Sequence, residues 1–204
     1  HQFAFGPTGE NHHYGDMHNP WDIDSYTGGS SGGSGSAVAA GQATIAMGSD
    51  TGGSIRIPSA LCGIVGLKPT FGRVSKYGVN PLAWSLDHVG PMVRTVKDAA
   101  LVLNSIAGYD QRDSCSVNLP VPDFTAGLAG DIKGIRIGVP REYYDFPVHP
   151  QVKDAVDKAV VQLENLGAKI IDVDWPIFRY AFAISTVLLI TGASAGLSKL
   201  VMEK

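Results

Sequence analysis

GGSSGGSGSAVAAGQATIAMGSDTGGSIR, residues 28–56, decides how this chain is read. Two Gly/Ser knots, GGSSGGS and DTGGS, flank a run of small apolar residues. Glycine permits positive φ and close backbone approach. Serine carries a hydroxyl that becomes a nucleophile once a base activates it. A flexible Gly/Ser linker would share this composition. The intervening Ala37–Ala40 and Thr44–Met47 argue against one, because apolar side chains want burial and a solvated linker has no use for them. The pattern predicts a short helix of very small residues over 34–41, then a short buried strand over 43–48. The second knot follows that strand, and a further helical stretch opens at Ser54.

A strand–turn–helix of this kind aims the backbone N–H groups of Thr51, Gly52, Gly53 and Ser54 at one point beside a helix N-terminus. The chemistry that fits is an oxyanion hole around a serine nucleophile, Ser54. Phosphate binding is the rival use of a helix N-terminus. The Walker pattern needs Lys before Ser or Thr, whereas Ser54 is followed by Ile55-Arg56. The dinucleotide fingerprint fails where Val38 replaces its third glycine. GGSSG does match the GxSxG elbow, but Ser25-Tyr26-Thr27 makes a poor preceding strand, and no His/Asp pair is arranged around Ser30. Spacing does not identify the base for Ser54. A serine of the first knot, Ser30 or Ser31, relaying to a buried lysine of lowered pKa would serve.

Working outward, the chain has 204 residues, 44% hydrophobic, enough for a sizeable core. The net charge of −3 forms no basic stripe and gives no direct nucleic-acid signal. Cys62 and Cys115 have no metal or redox spacing and favour a reducing compartment. His12, His13 and His18 invite a metal, but no carboxylate or cysteine pattern completes a site, so none is expected. The apolar run Tyr180–Ile190 is too short for a bilayer span. Both ends read as cut.

Residues 1–27 read as irregular loop, with HQFAF as a strand end. Residues 64–67 form a candidate strand, 71–87 a Gly- and Pro-punctuated loop. Thr95 caps a helix reaching toward Gly108, and 109–130 connect onward. Ile135–Val139, Pro150–Leu166 and Ala168–Val173 form a βαβ unit with parallel strands. From Trp175 the tail reads as a core helix. The class is α/β, a mixed sheet covered by helices on both faces.

Four stretches together carry a family resemblance. They are HQFAFG, GGSSGGSGSAVAAG, GSDTGGSIRIPSALCGIVGLKPTFGRVS and YGVNPLAWSLDHVGPMVRTVKDAALVLNSIAGYD. This chain resembles the amidase signature family, closely over residues 1–145 and loosely beyond. The resemblance implies part of a single domain, residues 1–204. It also implies a Ser-cisSer-Lys triad. Ser54 is then the acyl-forming nucleophile and Ser30 the proton relay, with a cis Gly29–Ser30 peptide. Thr51, Gly52 and Gly53 match the oxyanion turn, and Ser31, Asp50 and Arg56 support it.

The family's lysine precedes the HQFAFG segment, and no lysine here matches it; Lys68 belongs to another motif. The fragment is therefore expected to lack its general base and the family's C-terminal part. The implied reaction is amide hydrolysis through a serine acyl-enzyme, releasing ammonia or an amine, with no cofactor. NPLAWSLDHVGP looks more like the stand-alone amidases. RVSKYG, SLDHVGP and IRIGVPREYY also resemble the glutaminase component of the tRNA-dependent amidotransferases, which hydrolyses glutamine and passes ammonia to a mischarged tRNA held by partner subunits. Otherwise the partners are a small-molecule amide and a second copy in a homodimer, in the cytoplasm and without a membrane. A non-catalytic scaffold domain is the remaining alternative, and the presence of both Ser30 and Ser54 disfavours it.

Overall fold

In a computed structural model, which describes residues 1–140, 142 and 146–202, the chain is mixed α/β and divides into two units. The first holds residues 1–128 and 185 onward, the second 129–184. The ends of IRIGVPREYY and SKLVMEK lie outside the described residues.

The first unit is built on a three-stranded antiparallel sheet: β3 (Ala46–Asp50), β5 (His88–Val93) and β4 (Val65–Gly66), with β5 central. Its register pairs Asp50 with His88 and Gly48 with Gly90. Against it lie α1 (Gly32–Ala39), α2 (Arg56–Leu61) and α3 (Val96–Ile106). Val38, Ile55, Cys62, Met92 and Val93 are fully buried and form the core. Thr95 caps α3 as expected, its hydroxyl accepting from Asp98 N–H at 3.1 Å.

Gly48 marks a close approach between β3 and its neighbours. A Cβ there would stand 2.8 Å from Met92 Sδ, 2.9 Å from Ile55 Cγ1 and 3.0 Å from Ser31 Oγ. Only glycine lets β3 pass this close to the start of α1.

Two expectations for the first unit are corrected. HQFAF is no strand: Gln2–Ala4 form a 3-10 turn, and residues 18–26 form an antiparallel hairpin of β1 (His18–Asn19) and β2 (Asp22–Tyr26). The strand expected over 43–48 lies two to three residues later, and Ile45 and Met47 are largely exposed. β5 has no counterpart in the sequence reading and contains Pro91, which has no N–H to donate. It is accommodated because β4 pairs only with Val93 and Met92 and stops short of Pro91.

In the second unit, β6 (Arg136–Pro140), α4 (Pro150–Asn165) and β7 (Lys169–Val173) form the expected βαβ pattern. The two strands are parallel, Ile137 opposite Ile170. Val156, Val160 and Leu163 are half-buried along one side of α4.

The tail is helical, α5 (Ala181–Met202), but is not the core helix expected. Phe182, Val187 and Ile190 are exposed. Residues 176–198 also outrun the apolar run read from the sequence. By length and composition alone they suffice to cross a membrane, a test that a soluble core helix also passes.

Met92→Ala in the full-length protein removes a fully buried side chain of the core and should cost about 2–5 kcal/mol. Urea denaturation should show the lower midpoint with an unchanged slope.

Candidate active site

The turn between β3 and α2 is organised by one carboxylate. Asp50, at the end of β3, is fully buried. Its Oδ1 accepts the Gly53 N–H at 2.8 Å, and its Oδ2 accepts the N–H groups of Ile55 at 3.1 Å and Arg56 at 3.3 Å. The Arg56 guanidinium closes the other side, with Nη2 on Oδ1 at 2.9 Å and Nε on Oδ2 at 3.0 Å. Burial by itself would raise the Asp50 pKa. The Arg56 hydrogen bond and charge, with the two backbone donors, outweigh it and hold the carboxyl below its ordinary value.

This wiring corrects one expectation. The Gly53 N–H does not join a set of converging donors, because Asp50 takes it. Gly53 contributes instead through its backbone, at φ +134°, where a side chain would also meet Ile57. Among the described residues, no acceptor takes the N–H groups of Thr51, Gly52 or Ser54. Three donors thus stay available along the turn. The short helical stretch expected at Ser54 is α2, which begins at Arg56 and has six residues, so the turn's donors count for more than a helix dipole.

The first Gly/Ser knot meets this turn directly. Ser31 N–H donates to the Ser54 carbonyl at 3.2 Å. The Ser31 hydroxyl donates to the Ser49 carbonyl and accepts the Ser49 N–H, both at 3.2 Å. The Gly29–Ser30 peptide is cis. Ser30 is buried from bulk solvent yet lines an open cleft of about 310 Å³ with Ser31, Ser34, Gly48 and Ser49. Ser54 is half-buried and is not among the lining residues; the Ser31 bond places its main chain one residue from Ser30.

Both lysines nearest in sequence are engaged elsewhere. Lys68 donates to the Pro69 carbonyl at 2.9 Å, and burial, then the neighbouring Arg56 charge, lower its pKa. Lys76 is buried, donates to the Trp84 carbonyl at 2.7 Å and stands over the Phe71 ring. The described residues contain no group of three or more His, Cys, Asp or Glu able to hold a metal ion. His18 instead has Nδ1 2.8 Å from the Ile23 carbonyl.

Two participants are not evident in the sequence. Ser49 looks like a strand residue but is Ser31's partner. Asp87 lies in a loop with no periodic signal; its carboxylate accepts the Thr51 hydroxyl at 2.6 Å. The available clues are a lone acidic residue beside apolar Leu86 and Val89 and its place in the SLDHVGP stretch.

A family model described as Amidase matches residues 1–203. The A subunit of glutamyl-tRNA(Gln) amidotransferase from Geobacter sp. (strain M21) is 50% identical over 198 residues, covering 97% of this chain and 41% of that protein. Its counterpart of the same name from Akkermansia muciniphila is also 50% identical, over 97% of this chain and 42% of its own length. The chain thus spans about two-fifths of these curated relatives. Among solved structures, the A subunit of glutamyl-tRNA(Gln) amidotransferase from Thermotoga maritima matches with TM-score 0.92 and 42% identity, over 96% of this chain and 43% of that one. A bacterial aryl acylamidase of the amidase signature family matches with TM-score 0.84 and 34% identity, over 98% of this chain and 42% of that one.

Asp50→Ala should cost about 1–3 kcal/mol for each buried donor it leaves unpaired. Because the folded-state pKa lies below the unfolded one, the carboxylate's contribution is fully present above the unfolded value of about 3.9 and is lost as pH falls through the folded value. Thermal melts of wild type and Asp50→Asn should therefore differ most near neutral pH and converge in acid.

Proposed function

The chain belongs to the amidase family, and we propose that the full-length protein hydrolyses a carboxylic amide through an acyl-enzyme on Ser54. The observation that carries this is the meeting of the two Gly/Ser stretches: Ser31 N–H on the Ser54 carbonyl, with Ser30 on the adjoining cleft. Residues 1–204 are read as part of one catalytic domain, to which an upstream segment adds the lysine.

In this mechanism Ser54 Oγ attacks the amide carbon. Ser30 takes the hydroxyl proton and exchanges it with the upstream lysine. The carbonyl oxygen gains charge facing the N–H groups of Thr51, Gly52 and Ser54. Such donors act without reorganisation in a site that excludes water, and losing one typically costs about 2.7–4 kcal/mol of barrier stabilisation. Collapse of the tetrahedral intermediate breaks the C–N bond, with Ser30 returning the proton to the leaving nitrogen. Water then cleaves the ester and restores Ser54. No cofactor enters these steps.

Two substrate classes fit. The stand-alone amidase reading rests on the NPLAWSLDHVGP stretch. The amidotransferase reading is favoured by relatives 48–50% identical over nearly the whole chain, each named as the A subunit of glutamyl-tRNA(Gln) amidotransferase. In it the substrate is glutamine, and partner subunits hold the tRNA. Both readings place the protein in the cytoplasm, with α5 covered by the rest of the full-length chain. A homodimer belongs to the stand-alone reading.

Full-length protein should be labelled by a fluorophosphonate at Ser54, and Ser54→Ala should abolish both labelling and turnover. Glutamine hydrolysis stimulated by charged tRNA and partner subunits selects the amidotransferase; turnover of aryl or aliphatic amides alone selects the amidase. The isolated 204 residues should be inactive. Turnover by them that Ser54→Ala abolishes would refute the need for an upstream lysine.

A further inference from the structure

Asp87 lies outside both Gly/Ser stretches and has no role in the mechanism above. It is almost fully buried, at 7% exposure. Its Oδ1 accepts the Thr51 hydroxyl at 2.6 Å. Its Oδ2 accepts Leu82 N–H at 2.9 Å, and the Ala83 N–H is 3.1 Å from both oxygens. The carboxylate therefore clamps the first residue of the TGGS turn to the 82–83 backbone. That backbone is itself immobilised. Leu82 and Ala83 are buried, and a Cβ on Gly192 of α5 would fall 2.6 Å from Ala83 Cβ.

The turn is thus held at two ends by two acids. Asp50 takes the N–H groups of Gly53, Ile55 and Arg56, all on the far side of Gly52. Nothing in that set restrains Thr51. The only side-chain restraint on Thr51 among the described residues comes from Asp87. Thr51 and Gly52 supply two of the three available N–H groups, and their direction depends on Thr51's backbone angles.

We propose that Asp87 is a positioning residue that aims the Thr51 and Gly52 N–H groups through the Thr51 hydroxyl. It touches no substrate. It rests on the acyl-enzyme reading for its catalytic consequence, but not for its structural one. A charge-assisted bond of 2.6 Å between these groups is among the stronger side-chain hydrogen bonds. Losing it frees the turn at the end that Asp50 does not reach. Donor displacements of this kind act on the transition state more than on substrate binding.

The test uses the full-length protein and four variants: Asp87→Asn, Thr51→Val, Thr51→Ser and the Asp87→Asn/Thr51→Val double. Asp87→Asn and Thr51→Val should each lower kcat by about 10–100-fold with KM changed by less than about threefold. Thr51→Ser, which keeps the hydroxyl, should restore kcat to within about threefold of wild type, and the double variant should be no worse than either single. Hydrogen exchange of the peptide spanning residues 51–54 should speed up in both singles while exchange in β5 stays as in wild type. Additive losses in the double variant, or a loss of melting temperature with kcat and exchange at 51–54 unchanged, would overturn the proposal. If Asp87→Asn does not fold, Thr51→Val carries the same test, since it leaves the Leu82 and Ala83 bonds intact. Wild-type protein without any Ser54-dependent turnover would count against the acyl-enzyme reading alone. Exchange at 51–54 would still decide the role of Asp87.

Discussion

The Asp50 carboxylate is the constraint on which the rest of the site depends. It sits fully buried at the end of β3 and accepts five hydrogen bonds, three from backbone N–H groups and two from Arg56. An isolated buried carboxylate would be strongly disfavoured, and would neutralise instead. Here every donor that stabilises the charge is also a piece of the turn, so solvating the carboxylate and folding the turn are one event. Arg56 is half exposed and loses little hydration in joining. The sharing has a cost for chemistry, since the Gly53 N–H is occupied. What remains for a substrate are the donors on either side of it.

A second constraint is spatial. Gly48 lets β3 press against Ser31, and Ser31 in turn fixes both Ser49 and the Ser54 carbonyl. Helix, strand and turn are thereby locked by one short residue. The cleft opens beside this junction, and most of the residues lining it from α1 and β3 are small. A site of main-chain donors and hydroxyls needs such small residues, because bulk would separate the backbones that supply the donors.

Much of this is legible in the residues. The alternation of tiny and apolar residues over 28–56 marks a packed site instead of a linker. The Thr95 cap and the βαβ periodicity place α3 and the β6–α4–β7 unit. The differences have physical causes. β5 has no reading in the residues, and the place of Pro91 within it depends on how short β4 is, which is a tertiary fact. The Gly53 N–H looks available because its acceptor, Asp50, lies three residues back in the same knot, where sequence assigns it a supporting role without naming its partner. Asp87 meets Thr51 across 36 positions, a separation no local pattern records. The apolarity of α5 suggests burial, yet within these residues much of it is exposed. Apolar composition says that a surface wants cover, without saying which part of a protein provides it.

The Ser31–Ser54 link has a practical side. It is made by an amide hydrogen and a carbonyl oxygen, and the carbonyl is one that any amino acid at position 54 would present. The hydroxyl to which the proposed mechanism assigns the chemistry is thus mechanically idle. Removing it leaves the junction fastened, so under the proposed mechanism the variant is inert and still presents the intact cleft. Such a protein would hold an uncleaved amide long enough for crystallography to see which one it prefers.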